Sequence, residues 1–142
     1  MLRDTDRPRT PVALPLFRYA ATAAAAARVA IGIAALTWPS VPTRPWVGAS
    51  ADELTAEVLG RALGARDLAL GLGTLAAVSK APSARWPVGA LYAAGALSDA
   101  LDVSITVAAW PRLPKTTRWL VAASAAAAAV AGAAGALAAF LE

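Results

Sequence analysis

The sequence predicts an all-α integral membrane protein, an antiparallel bundle of four transmembrane helices. First, 58% of the 142 residues are hydrophobic, which exceeds the share of about 45–50% in soluble chains. Second, four apolar stretches each reach about 20 residues, the length that crosses a hydrocarbon core of about 30 Å. Third, tryptophans mark the ends of these stretches, as in the aromatic belt at a membrane interface: Trp38, Trp86, Trp110 and Trp119.

The chain divides into a short tail and one membrane domain. Residues 1–14 are polar, charged and proline-containing, which predicts a flexible tail, and residues 15–142 form the domain. A signal peptide is the competing interpretation, but the first apolar run is longer than a signal core of about 7–15 residues. The four predicted transmembrane helices cover residues 16–38, 51–79, 86–110 and 118–141.

The segments between the helices carry local signals. Residues 39–49 are rich in proline and predict a loop along the membrane interface, with Trp46 as an anchor. Ser50 is the expected N-cap of the second helix, and Asp52 and Glu53 favour its first turn. Because more basic residues fall on the side of the two termini, the positive-inside rule places both termini in the cytoplasm. The expected location is therefore the cell membrane.

Charged residues occur near the centres of three of these apolar stretches. They are Arg28 in the first, Arg66 and Asp67 in the second, and Asp99 in the third. An ionisable group at that depth costs about 2.5–3.5 kcal/mol on insertion scales, so such groups usually face the protein interior and serve a function. Asp102 lies three residues after Asp99 and therefore on the same side of its helix.

Helical periodicity predicts how these charges meet. At 100° per residue, one face of the second helix carries Glu53, Glu57, Gly60, Arg61, Gly64, Asp67 and Gly71, while Arg66 projects elsewhere. One stripe of the third helix carries Tyr92, Gly95, Asp99, Asp102 and Thr106. Antiparallel packing then predicts one cluster near the membrane midplane, whose members are Arg28, Arg61, Asp67, Asp99 and Asp102. Glu57 closes this cluster on one side, and Arg66 is a further candidate member. The fourth helix, mostly alanine with Gly132 and Gly135, predicts a close-packed wall.

The composition narrows the chemistry. Without cysteine or histidine the chain lacks thiolate ligands, the commonest metal ligand and the usual neutral base, so we expect neither cofactor nor metal. The net charge of +4 comes from scattered basic residues, which argues against nucleic-acid binding. The segment 71–76 matches a loose dinucleotide pattern, but no strand precedes it, and packing glycines are the better interpretation. Asp99 and Asp102 as ligands of a magnesium-bound diphosphate would need more carboxylates.

The two charged motifs resemble a known family. The run RALGARDLALGLG, followed by GALSDALD, is similar to the pattern R-x-x-G-x-R-D-x-x-L-G-x-G … D-A-x-D of small bacterial, often actinobacterial, membrane proteins of the DUF4267 type of domain of unknown function. The resemblance covers roughly residues 25–108 and matches at Arg61, Gly64, Arg66, Asp67, Gly71, Gly73, Asp99 and Asp102. It implies a four-helix membrane topology and no established reaction.

Three functions are compatible with such a cluster. The first is a membrane-embedded acid–base enzyme that opens an epoxide, isomerises or cyclises a lipophilic small molecule, with one carboxyl protonated as acid and the other ionised as base. In it, Asp99 and Asp102 form the acid–base pair, Arg61 or Arg28 orients them, and Tyr92 donates a hydrogen bond. The second is a non-catalytic scaffold or accessory subunit of a membrane complex, in which the charges fix helix register.

The third is a proton-coupled transporter, in which Asp67, Asp99 or Asp102 titrates between two access states. Four helices are few for one transporter subunit, so this function requires a homo-oligomer. The scaffold and the enzyme differ in one observable property: an enzyme needs a cavity beside the carboxylates, open to a substrate that arrives from the lipid bilayer.

Overall fold

A computed structural model describes residues 13–80 and 84–141 of the chain. All regular structure in these ranges is helical, in five α-helices: α1 (Ala13–Thr37), α2 (Ser40–Val47), α3 (Leu54–Lys80), α4 (Arg85–Ala108) and α5 (Arg118–Leu141). Two short 3-10 helices, Gly48–Asp52 and Trp110–Arg112, lie in the connections. Residues 1–12 of the predicted tail and 81–83 of the loop after α3 lie outside the described residues. The all-α class is confirmed for the described part of the chain.

The predicted N-terminus of α3 is wrong by one turn. Residues 48–52 form a 3-10 helix, and the Ser50 carbonyl accepts the Glu53 N–H at 3.1 Å, so Ser50 is not the N-cap. The helix begins at Leu54, and Asp52 pairs instead with Arg44. The acidic residue in its first turn is Glu57. The polar residues around Ser50 favoured a helix cap at that position. In the structure these residues form a 3-10 helix, which ends before α3 begins.

The predicted loop at 39–49 contains a helix, α2, that closes one end of the assembly. The indole Nε1–H of Trp46 donates to Thr106 Oγ1 of α4 at 3.1 Å, and the role of Trp46 as an interface anchor stays a prediction. Thr117, just before α5, donates to the Pro45 carbonyl at 2.6 Å. These two bonds fasten α2 across the ends of α4 and α5.

The four long helices pack side by side, each antiparallel to its neighbours. Helix α1 lies between α3 and α5, and α4 contacts α5 and α3. Glycines permit the close approach of α1 and α3: a Cβ at Gly71 would lie 2.7 Å from the Ala25 carbonyl oxygen, and one at Gly64 would lie 2.6 Å from Ala35 Cβ. Later residues of α1 contact earlier residues of α3, so the two helices are antiparallel. This packing places α1 and α4 diagonally across the interior.

Three of the long helices are apolar enough to cross a membrane: Leu14–Thr37, Arg85–Ala108 and Arg118–Leu141. Only 17% of the apolar window in α5 is buried by the protein, so most of its surface is available to lipid. Trp38, Trp86 and Trp119 lie exposed at helix ends, where the aromatic belt predicts them. Composition and exposure together indicate a membrane-embedded protein in contact with the lipid bilayer.

Candidate functional site

Five charged side chains from three helices form a continuous chain of ion pairs in the interior. We call this set the ion network; it runs in the order Asp99, Arg28, Asp67, Arg66 and Asp102. The four carboxylate–guanidinium contacts between successive members measure 2.5, 2.7, 3.2 and 2.9 Å. The network therefore ties α1, α3 and α4 together near their middles.

Arg28 is the central member of the network and contacts both α3 and α4. One terminal nitrogen donates to Asp67 Oδ1 at 2.7 Å, while the other donates to the Gly95 carbonyl at 2.7 Å and pairs with Asp99. The guanidinium lies across Gly95, where an added Cβ would meet Arg28 Nε at 3.5 Å. Because α1 and α4 are diagonal, only a side chain as long as arginine spans the gap. Arg28 is 8% exposed.

Arg66 forms the other half of the network. Its guanidinium donates to both oxygens of Asp102, at 3.2 and 2.9 Å, and to Asp67 Oδ1 at 3.2 Å. The two-pronged contact with Asp102 is the geometry in which arginine holds a carboxylate most firmly. Asp67 Oδ1 thus accepts from two arginines, one on its own helix and one on α1.

Asp99 and Asp102 share a side of α4 but not a partner. Arg28 pairs with Asp99 and Arg66 pairs with Asp102, so no single arginine bridges the two carboxylates. The sequence predicted one arginine that orients both aspartates, but in the structure each aspartate has its own arginine. The acid–base pair of the sequence prediction is split into two ends of one network.

Arg61 and Glu57 lie outside the network, which corrects the predicted cluster. They pair with each other at 3.4 Å on α3, with side chains 46% and 36% exposed. Arg61 and Asp67 are six residues apart, which leaves them about 120° apart around a helix of 3.6 residues per turn. The α3 arginine that reaches a carboxylate of α4 is Arg66, which pairs with Asp102 and which the periodicity argument had directed elsewhere.

Tyr92 is buried near the network but does not donate to a carboxylate. Its hydroxyl is 2.6 Å from Thr22 Oγ1 and donates to the Arg18 carbonyl at 3.4 Å. Tyr92 belongs to a small apolar core cluster with Ala21 and Val88. Thr22 was missed in the sequence, where the available signal was a single hydroxyl within a run of alanines.

Three spaces adjoin these residues. An inner cavity beside Arg28, Tyr92 and Asp99 leaves about 20 Å³ for water, enough for roughly one molecule. A cleft of about 70 Å³ lies under α2, with Arg66, Asp67 and Asp102 in its wall; we call it the α2 cleft.

A wider groove of about 260 Å³ opens near the start of α1, lined by Arg18, Tyr19, Thr22 and Tyr92; we call it the α1 groove. The two ends of the network thus adjoin different spaces. Asp99 faces the inner cavity, which Tyr92 separates from the α1 groove, and Asp102 faces the α2 cleft.

The network does not balance its charge. Three carboxylates face two guanidinium groups, so the ionised network carries one excess negative charge. In a low-dielectric interior an uncompensated charge is costly. The described residues also contain no group of three or more His, Cys, Asp or Glu side chains placed to hold a metal ion.

Hydrogen bonding between α3 and α4 is incomplete. Within the described residues, Arg66 Nε and Ser98 Oγ are buried without a partner. Ser98 lies one turn before Asp102 and is 8% exposed. The sequence carried no signal for Ser98, and its burial alone makes it notable. Unpaired buried donors of this kind usually mark sites where ordered water belongs.

Comparisons with known proteins add no relative to this description. No protein-family model, no curated protein and no solved structure matches the chain. The resemblance to the DUF4267 type therefore stays a prediction, and the functional argument depends on the geometry alone.

Proposed function

We propose that the chain is a four-helix membrane bundle whose ion network fixes the register of α1, α3 and α4, and that it acts as a non-catalytic scaffold or accessory subunit of a membrane complex. The observation that carries this proposal is the mutual pairing of all five charges, with room for about one water in the inner cavity beside Arg28 and Asp99. Such an arrangement suits helix positioning better than substrate turnover.

Packing supports a membrane-spanning α3. The charged residues of this helix make it less apolar than the other three long helices, which are apolar enough to cross a membrane. Helix α3 lies antiparallel along α1 and beside α4, both apolar enough to span. A helix held between two spanning neighbours occupies the same depth. Its central charges, Arg66 and Asp67, turn to Asp102 and Arg28 and are neutralised there. The cytoplasmic position of the termini stays a prediction.

A charge-removal series tests the register function. Arg66→Leu leaves the buried Asp102 carboxylate without a cation, so this variant should lose about 3–5 kcal/mol of unfolding free energy. Asp102→Leu should lose less, because Arg66 keeps its contact with Asp67. The double variant removes the pair and keeps apolar volume, so most of the stability should return. Unfolding is measured on protein purified in lipid nanodiscs, with size-exclusion profiles as the folding control. A double variant as unstable as Arg66→Leu would contradict the register function.

The α2 cleft favours a second candidate function, acid–base catalysis on a small lipophilic molecule. Asp102 and Arg66 adjoin about 70 Å³ of space there. In epoxide opening, Asp102 would accept a proton from water as the water oxygen attacks an epoxide carbon. The carbon–oxygen bond breaks, Arg66 stabilises the alkoxide, and Asp102 returns the proton to give a diol. Isomerisation and cyclisation by the same residues remain further predictions.

This candidate is tested with 1,2-epoxybutane and the protein in nanodiscs, with diol formation as the readout. Wild-type protein should form diol above the rate of empty nanodiscs, and Asp102→Asn should abolish the excess. Asp52→Asn is the matched control because Asp52 is exposed and pairs with Arg44 outside the cleft. Equal rates for wild type and Asp102→Asn would remove this reaction from consideration.

A further inference from the structure

The excess negative charge of the ion network has a specific place to be neutralised. Both oxygens of Asp102 accept hydrogen bonds from Arg66, and Asp67 Oδ1 accepts from two arginines. Asp99 has a single ion pair, made by Oδ2 with Arg28. Its Oδ1 has no partner among the described residues. Of the three carboxylates, Asp99 is therefore held least firmly in its ionised form.

We infer that Asp99 is a proton-binding residue: its Oδ1 takes up the proton that neutralises the ion network, and this proton exchanges with water at the α1 groove past Tyr92. A proton on Oδ1 leaves Oδ2 free to keep its contact with Arg28, so uptake breaks no ion pair. The inference rests on the proposed function for one point, the burial of the network within a membrane.

The groups that face Asp99 define this balance. Helix α1 contributes Arg28, α3 contributes Arg66 and Asp67, and α4 contributes Asp102. The only charged residue of α5 within its described range is Arg118, at its first position and at the α2 end. The wall that α5 presents to the inner cavity is Gly132. Among the described residues, the ion pairs of the network involve no cation other than Arg28 and Arg66.

The hydroxyl pair beside the inner cavity provides the route. Thr22 and Tyr92 are 2.6 Å apart, either oxygen can donate to the other, and both line the α1 groove. Tyr92 also lines the inner cavity with Asp99. A proton from groove water passes to Thr22, Thr22 passes its own proton to Tyr92, and Tyr92 passes its proton into the inner cavity, whose lining it shares with Asp99. Groove water is left as hydroxide, and the network becomes neutral.

Infrared titration of the full chain in lipid nanodiscs tests the proton directly. A protonated carboxylic acid has a carbonyl band distinct from that of a carboxylate. Wild-type protein should keep this band at neutral pH, and Asp99→Asn should lose it. Asp102→Asn should lose it as well, since removal of one negative charge balances the network and allows Asp99 to ionise. Asp52→Asn, which changes an exposed carboxylate, should leave the band unchanged.

Two results would overturn the inference: a wild-type spectrum without the band at neutral pH, or a band that persists in Asp99→Asn. Retention of the band in Asp102→Asn would overturn the charge-balance argument. Tyr92→Phe tests the route, because it should retain the band and slow its shift on transfer to heavy water, and an unchanged rate would refute passage through Tyr92. The Arg66→Leu/Asp102→Leu pair tests register by stability alone, so failure of the scaffold function and failure of this inference are distinguishable.

Discussion

The molecule contains two kinds of arginine–carboxylate contact, and burial separates them. Arg44 and Asp52 pair at 2.6 Å with side chains 53% and 60% exposed. Arg28 and Asp67 pair at 2.7 Å with side chains 10% and 14% exposed. The geometry is nearly the same, but water screens the first pair and is excluded from the second. Contact distance alone therefore does not predict how much a pair contributes to stability. The number of charges that a substitution leaves buried without a partner is the better predictor.

Removal of Arg28 should give the largest effect. Arg28→Met retains length and apolar volume but leaves the carboxylates of Asp67 and Asp102 with Arg66 as their one cation in the ion network. A buried charge stripped of its partner costs about 3–5 kcal/mol. Chemical unfolding in nanodiscs measures this loss. A change below about 1 kcal/mol, the range of exposed pairs, would show that buried and exposed pairs contribute alike to stability.

A glycine substitution should disturb the network without removing a charge. A Cβ at Gly71 would lie 2.7 Å from the Ala25 carbonyl oxygen and from Val29 Cγ2, so Gly71→Ala should push α1 from α3. Overpacking of this kind costs about 1–3 kcal/mol. Gly73→Ala is the matched control, because its Cβ would meet only Leu91, at 3.7 Å. Similar unfolding free energies for the two variants would show that close approach at Gly71 is not required.

The bond that fastens α2 should have a smaller effect. Trp46→Phe removes the donor to Thr106 and keeps an aromatic ring under α2. Loss of one such hydrogen bond costs about 1 kcal/mol. Thermal unfolding measures the change, and the exposed Trp119→Phe serves as a comparison for ring replacement alone. If both variants unfold alike, the hydrogen bond to Thr106 does not fasten α2.

The exposed pair should give the smallest effect. Asp52→Asn should change the unfolding free energy by less than about 1 kcal/mol, and added salt should reduce the difference further. A loss as large as that of Arg28→Met would show that burial does not determine the energetic weight of these contacts.

Sequence reasoning recovered the helices and most of the network but not its pairing. The helix ends agreed within a few residues for the four long helices, since apolar length and tryptophan positions are local properties. Arg61 was expected among the α4 carboxylates, and Arg66 holds that place. The sequence shows which residues share a face of one helix, because successive residues are 100° apart around its axis. It does not show the angle at which α4 packs against α3. That angle decides which of two neighbouring faces becomes interior.

The sequence by itself determined the class of the protein. Its long apolar stretches indicate a membrane-embedded protein, and Arg28, Asp67 and Asp99 within them need partners, because an unpaired charge in hydrocarbon is costly. Only the tertiary structure decided which partners they take. With α1 held close to α3 at Gly71 and placed diagonally from α4, Arg28 pairs with Asp99, and Arg66 pairs with Asp102. Charge pairing across helices depends on packing, which no single helix encodes.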